Sequence, residues 1–334
     1  MNLDLRTLTV SEFLDRTFSI YRHRFLLFVG LMAPQAVLSL LAALAWGWAT
    51  SSLTTLKDFE PANLIGLTIG AAIGVVVFTI AHWLLYVLGV GATTIAVSDL
   101  YGRITPDAGS AFSAASRRLG PLLWATFLMA VRVFGVIAGC LVIPAILLGA
   151  AGGLGAITEW NRGVVGGFAA VGFALLALAL LVALGLMLFM ALRYAVVIPA
   201  AVLEPIGGRA AIVRSIRLTQ GLLGRAFLLM LCTGVVSWAA AMVGMMLQMP
   251  FVFGAIMAGP ETRLGFWLNM IGTALGSISQ TVTAPITAIG VVVLYFEARI
   301  RHEALDLQVL TEALAPPLAP PSPGLAIVPP PIPH

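Results

Sequence analysis

Long uncharged stretches alternate with short amphipathic ones along this chain. Six runs, at 25–56, 61–98, 133–158, 163–192, 226–260 and 264–296, carry no Asp, Glu, Lys or Arg and are mostly apolar. Each exceeds the roughly 18 residues needed to cross a hydrocarbon layer, so the pattern predicts six transmembrane helices. A membrane β-barrel would instead show segments of about 10 residues with alternating polarity, and none occurs.

The amphipathic stretches differ in period and charge. In 9–24, Leu14, Phe18, Tyr21 and Phe25 recur at helical spacing and form one apolar stripe. Thr9 with Glu12 fits a capping box, and Glu12 precedes Arg16 by one helical turn. A second helix is expected at about 105–119, with Thr105 as N-cap, Pro106 at the first helical position, and Phe112, Ala115 and Leu119 on one face. A third is expected at about 206–219, with Ile212 and Ile216 facing one way and Arg214 and Arg217 another. Phe13, Phe112 and Ile212 are 99 and 100 residues apart. That spacing predicts three repeats of about 100 residues, each a basic amphipathic helix lying in the interface followed by a transmembrane hairpin. The last span is expected to continue into a cytoplasmic helix over 297–314. Nine of the residues in 315–334 are proline, which predicts a disordered tail.

Composition agrees with a membrane protein. The chain is 60% hydrophobic and 10% charged, too poor in charge for a soluble domain. The net charge of +4 does not indicate nucleic-acid binding, because the arginines cluster by loop. With both termini cytoplasmic, 13 basic residues lie on that side, three (Lys57, Arg162, Arg263) on the other, and two, Arg132 and Arg193, within spans. This positive-inside split orients the chain, and arginine-rich usage points to a bacterial inner membrane. The charged first 24 residues do not read as a signal peptide. Cys140 and Cys232 lie in apolar runs and read as small hydrophobes.

Few side chains offer chemistry. His82 lies in a span without a ligand partner at metal-binding spacing and reads as a structural histidine. No nucleophile–base set, nucleotide loop or carboxylate pair stands out, so the chain is read as non-catalytic, with no cofactor and no metal. Gly66, Gly70 and Gly74, then Gly135 and Gly139, then Gly272 and Gly276 keep the GxxxG spacing of packed transmembrane helices. Prolines 34, 144, 199, 250 and 285 predict kinks or unwound turns. In the sixth span Asn269, Thr273, Ser277, Gln280, Thr281 and Thr287 form a polar stripe, which either bonds a neighbouring helix or lines a cavity, with Gln248 available to join it. Arg132 and Arg193 have three readings: pairing with Asp99, Glu204 or Glu297 or snorkelling, binding lipid phosphate, or serving transport. The run 163–203 would make about 60 Å of helix against a core of about 30 Å, so its end must protrude or tilt.

The opening LTVSEFLDRTFSIYRHRFLLF, the central RYAVVIPAAVLEPIGGRAAIVRSIRLTQG and the late VLYFEARIRHEALDLQVL resemble the bacterial glycerophosphoryl diester phosphodiesterase membrane domain and its relatives, over about residues 5–314. The central segment carries the most specific pattern: Arg193, Pro199, Glu204, then Arg214, Ser215, Leu218, Thr219 and Gly221. Such proteins hydrolyse with a separate soluble barrel whose ligands do not occur here. The resemblance therefore implies a membrane module without catalytic residues. The expected function is to organise or bind lipid headgroups, anionic ones in particular, or a protein partner at the cytoplasmic leaflet. Candidate contacts are Arg132, Arg193, Glu204, Arg214, Arg217, Ser277, Gln280 and Thr281. The alternative is a small-solute or lipid transporter using a polar cavity along the sixth span.

Overall fold

A computed structural model describes residues 9–54, 61–157, 162–259 and 262–303. All ten elements are α-helices, and there is no strand among the described residues. Six helices are long and apolar enough to cross a membrane: α2 (Phe25–Thr54), α3 (Pro61–Tyr101), α5 (Leu119–Ile157), α6 (Arg162–Arg193), α9 (Leu223–Ala258) and α10 (Arg263–Glu303). The chain is an all-α polytopic membrane protein. The shorter helices are α1 (Val10–His23), α4 (Ala108–Arg117), α7 (Val197–Leu203) and α8 (Gly208–Thr219). Most of the expected cytoplasmic helix over 297–314, and the proline-rich tail, lie outside the described residues.

The core sits at one end of the bundle. Phe13 and Ile20 of α1, Val97 of α3, Ala111 and Ala115 of α4, Val197, Ala200 and Val202 of α7, Ile212 and Leu218 of α8, and Ile289, Val293, Tyr295 and Ala298 of α10 belong to one buried cluster. The exposed large hydrophobics lie elsewhere, along Ile69–Ile80, Val131–Ile146, Phe168–Phe189, Leu228–Met257 and Leu264–Ile278. Those are the faces that lipid covers. At 1.5 Å per residue, α3 and α10 are each about 60 Å long, twice a hydrocarbon layer. Their excess length projects into the core among the short helices. This basic end carries most of the arginines.

Local chemistry explains each short helix. Thr9 caps α1 through the expected capping box, its backbone N–H donating to Glu12 Oε2 at 2.8 Å. The second helix begins later than expected: Asp107, not Thr105, is the N-cap, accepting from Ser110 N–H at 3.0 Å. Pro106 holds the preceding residue extended, so the chain turns only after it. In α4 the buried positions are Ala111 and Ala115, with Phe112 half-buried. Thr17, Ala115 and Ser215 are each the eighth residue of their helix. All three are small and fully buried, 98 and 100 residues apart.

One break decides the central geometry. The run 163–203 neither protrudes nor tilts as one rod: α6 ends at Arg193, residues 194–196 turn, and α7 tucks into the core. Pro199 causes this. Its ring crowds the carbonyl of Ala195 and it lacks the N–H to bond it, which weakens the helix where the break occurs. Pro199 itself occupies the first turn of α7, where proline is tolerated. The other prolines, 34, 144, 250 and 285, lie inside continuous helices. Near Pro285, Tyr21 of α1 donates its hydroxyl to the carbonyl of Val282 at 2.6 Å, joining α1 to the turn that the proline weakens.

Candidate functional site: a basic groove on an ion-pair network

Glu204 caps the end of α7 and leads into Pro205–Gly207. Its carboxylate accepts from Arg214 Nε at 2.9 Å on both oxygens, and from the buried Tyr295 hydroxyl at 2.8 Å. Arg214 also pairs with Glu303 at the end of α10, and Arg299 donates to Glu303 at 3.0 Å. Bonding to Glu303 first, and to Glu204, holds the Arg214 guanidinium charged far above any working pH. The network therefore ties α7, α8 and α10 together with both carboxylates spent.

A second cluster lies inside the core. Glu297 is 2% exposed, yet charged partners reach it from two helices. Arg225 Nη2 lies 2.7 Å from its Oε1 as an ion pair without hydrogen-bond alignment, and Arg301 Nε donates to the same oxygen at 3.1 Å. Glu297 Oε2 has no hydrogen-bond partner among the described residues. One carboxylate shared by two arginines leaves the region net positive.

The groove forms where α8 meets α5. Gly208 is so close to α5 that a Cβ there would stand 2.5 Å from the Pro121 carbonyl oxygen and 2.6 Å from the Ala125 nitrogen. Only glycine permits this approach. Beside it opens a cavity of about 810 Å³ lined by Trp124, Glu204, Arg209, Arg214 and Arg217. Trp124 is exposed and stacks on the exposed Phe127, with ring centroids 5.8 Å apart. Tryptophan is enriched where spanning helices meet the headgroups. Arg209 and Arg217 are exposed and have no ion pair among the described residues, so the groove carries two surplus positive charges beside an interfacial aromatic.

Glu204, Arg214 and Arg217 are thus brought together. The other expected contacts are placed apart. Arg193 ends α6 and does not reach Asp99, Glu204 or Glu297; its guanidinium lies over the Phe189 ring, 4.9 Å from the centroid. Its carbonyl, orphaned by the helix end, accepts from Ser215 Oγ at 2.8 Å. Arg132 is exposed on α5, and no carboxylate pairs with it among the described residues. Ser277 and Thr281 are buried, Thr281 donating to the Ser277 carbonyl at 2.7 Å, while Gln280 is exposed on another face. Gln248 packs on Gly276, and Ser279 on Gly244, across the α9–α10 seam. Much of the polar stripe therefore belongs to helix packing.

Tyr295, Glu303, Arg299, Arg209 and Trp124 had escaped the sequence reading. Glu297–Arg301 and Arg299–Glu303 are visible there as two interleaved i, i+4 pairs. Tyr295 and Trp124 carry no local signal, because only packing brings them to Glu204 and to α8. No group of three or more histidine, cysteine or acidic side chains that could hold a metal occurs among the described residues. No family model, curated protein or solved structure matches this chain.

Proposed function

We propose that this chain is a non-catalytic membrane module that holds anionic lipid headgroups at the cytoplasmic leaflet of a bacterial inner membrane, with its basic end and both termini cytoplasmic. One observation carries the reading: the α5–α8 groove holds Arg209 and Arg217 without an ion pair among the described residues, beside the exposed Trp124, while the carboxylate lining it, Glu204, is spent on Arg214 and Tyr295. Guanidinium matches phosphate oxygens in a planar, two-point geometry. Lipid-facing Trp124 gives the acyl–glycerol boundary a place to rest. The resemblance to the glycerophosphoryl diester phosphodiesterase membrane domain fits a module of this kind.

The test is a titration of the purified chain with phosphatidylglycerol or phosphatidylcholine, read by native mass spectrometry. At about 1 kcal/mol per basic residue near a charged surface, replacing both Arg209 and Arg217 with Gln weakens phosphatidylglycerol binding roughly 30-fold. Equal affinity of the parent chain for the two lipids, or undiminished binding by the double variant, overturns the reading.

A further inference from the structure

Helices α5 and α6 carry three guanidinium groups, Arg132, Arg162 and Arg193, and no acid. No Asp or Glu occurs from Leu119 to Ile157 or from Arg162 to Arg193. The first group, Arg132, lies two turns beyond Trp124, which places its Cα about 12 Å past that of Trp124 and about 7.5 Å past that of Phe127. Its neighbours Val131 and Phe134 are exposed apolar residues, so this face of α5 meets lipid. The facing helix offers nothing polar. Gly172 packs on Leu148, which sets the pairing of the antiparallel hairpin and brings Arg132 level with about Leu188, among Met187, Leu188 and Phe189. Arg193 lies about five residues, or ~7.5 Å, nearer the basic end.

A charge at this depth is costly unless an anion reaches it. No carboxylate among the described residues pairs with Arg132. A second copy has none to offer either: the acids of the spanning helices are Asp99, Glu297 and Glu303, all at the basic end, and the remaining ones lie before, between or after the spans. A phospholipid phosphate does have access. The hairpin is the part of the bundle least covered by protein, with 6% and 11% of its spanning windows buried against 72% in α10. The Arg132 side chain leans toward the N-terminus of α5, which is the basic end, and so toward the headgroups. Guanidinium drawing a phosphate inward, with local thinning of the bilayer, is the known accommodation of such a residue.

We infer that Arg132 is a phospholipid-phosphate site within the hydrocarbon layer, separate from the groove at Arg209 and Arg217. It draws one headgroup below the plane of its neighbours along the lipid-facing side of α5. The inference rests on depth and on the missing acid, and it stands whether or not the groove prefers anionic lipid.

Solid-state carbon–phosphorus recoupling tests it. The chain, with its arginine side chains labelled at Cζ, is reconstituted in phosphatidylglycerol–phosphatidylcholine bilayers in phosphate-free buffer. Part of the guanidinium signal dephases at contact distance from lipid phosphorus. Arg132→Gln removes one residue's share of that signal, and Arg209→Gln with Arg217→Gln leaves that share intact. Arg132→Lys keeps the charge and loses the same share, which separates contact from general misfolding. A parallel sample in maltoside detergent with inorganic phosphate shows no Arg132 contact, because free phosphate does not enter an apolar layer. An undiminished signal in both Arg132 variants, or an Arg132 contact with inorganic phosphate in detergent, overturns the inference.

Discussion

Arg214 Nε stands 2.9 Å from both oxygens of Glu204, ten residues earlier, across the Pro-Ile-Gly-Gly turn that joins α7 to α8. The pair is mostly buried, and each member has a second partner: Tyr295 for Glu204, Glu303 for Arg214. Glu204→Gln removes the charge and leaves Arg214 half-paired. Hydrogen bonds to charged groups contribute about 1.5–3 kcal/mol, so the variant loses stability on that scale. Combined with Arg214→Gln, the loss falls short of the sum of the single losses by about 1–2 kcal/mol. Thermal unfolding in detergent, read by tryptophan fluorescence, gives the cycle. Additive losses mean that the two residues do not interact.

The three glycine motifs separate by what surrounds them. A Cβ at Gly66, Gly70, Gly74, Gly135 or Gly139 meets nothing within 4 Å, whereas one at Gly244 stands 2.3 Å from Ser279 Cβ and one at Gly276 stands 2.2 Å from Gln248 Oε1. Gly244→Ala forces α9 and α10 apart and costs about 1–3 kcal/mol, as overpacking does. Gly70→Ala is neutral, or stabilising by up to about 1 kcal/mol through helix propensity. The two melting temperatures decide it, and similar losses in both contradict the packing described.

Tyr21 links α1 to the turn near Pro285 through its bond to Val282. Burial pushes its phenol up to about 12. The folded state therefore favours the protonated phenol. Its contribution is full below the ordinary value near 10 and is lost as pH rises through about 12. Tyr21→Phe costs roughly 1 kcal/mol at neutral pH. In an ultraviolet alkaline titration, the difference between parent and variant appears near pH 12. A difference near pH 10 would show that Tyr21 is not buried against Val282.

Within the membrane, Gln35 Nε2 lies 2.7 Å from His82 Nε2, joining α2 to α3. The amide N–H donates to that ring nitrogen, so the imidazole proton sits on Nδ1, which is buried without a partner among the described residues. Gln35→Leu or His82→Phe alone strands the remaining polar group and costs about 1–3 kcal/mol. The double variant recovers most of that loss, since an apolar pair in hydrocarbon strands nothing. Melting temperatures of all four proteins are the measurement, and a double variant as unstable as the sum of the singles contradicts this pairing.

Much of this architecture was legible in the chain. Apolar runs longer than a hydrocarbon layer declare spans whatever their partners, and the Thr9–Glu12 capping box operates over three residues. Arg214 and Glu204 stood out because a charge pattern around a proline break is local. The groove was not legible. Trp124 comes to Arg209 and Arg217 because Gly208 lets α8 touch α5, a contact between residues more than 80 positions apart. Nor did spacing reveal that Arg193 has no acid in reach, since Pro199 ends α6 there and turns the chain away.

The sequence by itself determined that this protein is helical, crosses a membrane six times and carries its positive charge in a few loops. Those properties follow from local hydrophobicity and hydrogen bonding, which each segment satisfies alone. The tertiary structure decided that the core sits at the basic end, and which arginines are neutralised by a carboxylate among the described residues. Those outcomes depend on distances between segments remote in the chain, and pairing energy is gained only where packing brings a carboxylate to a guanidinium.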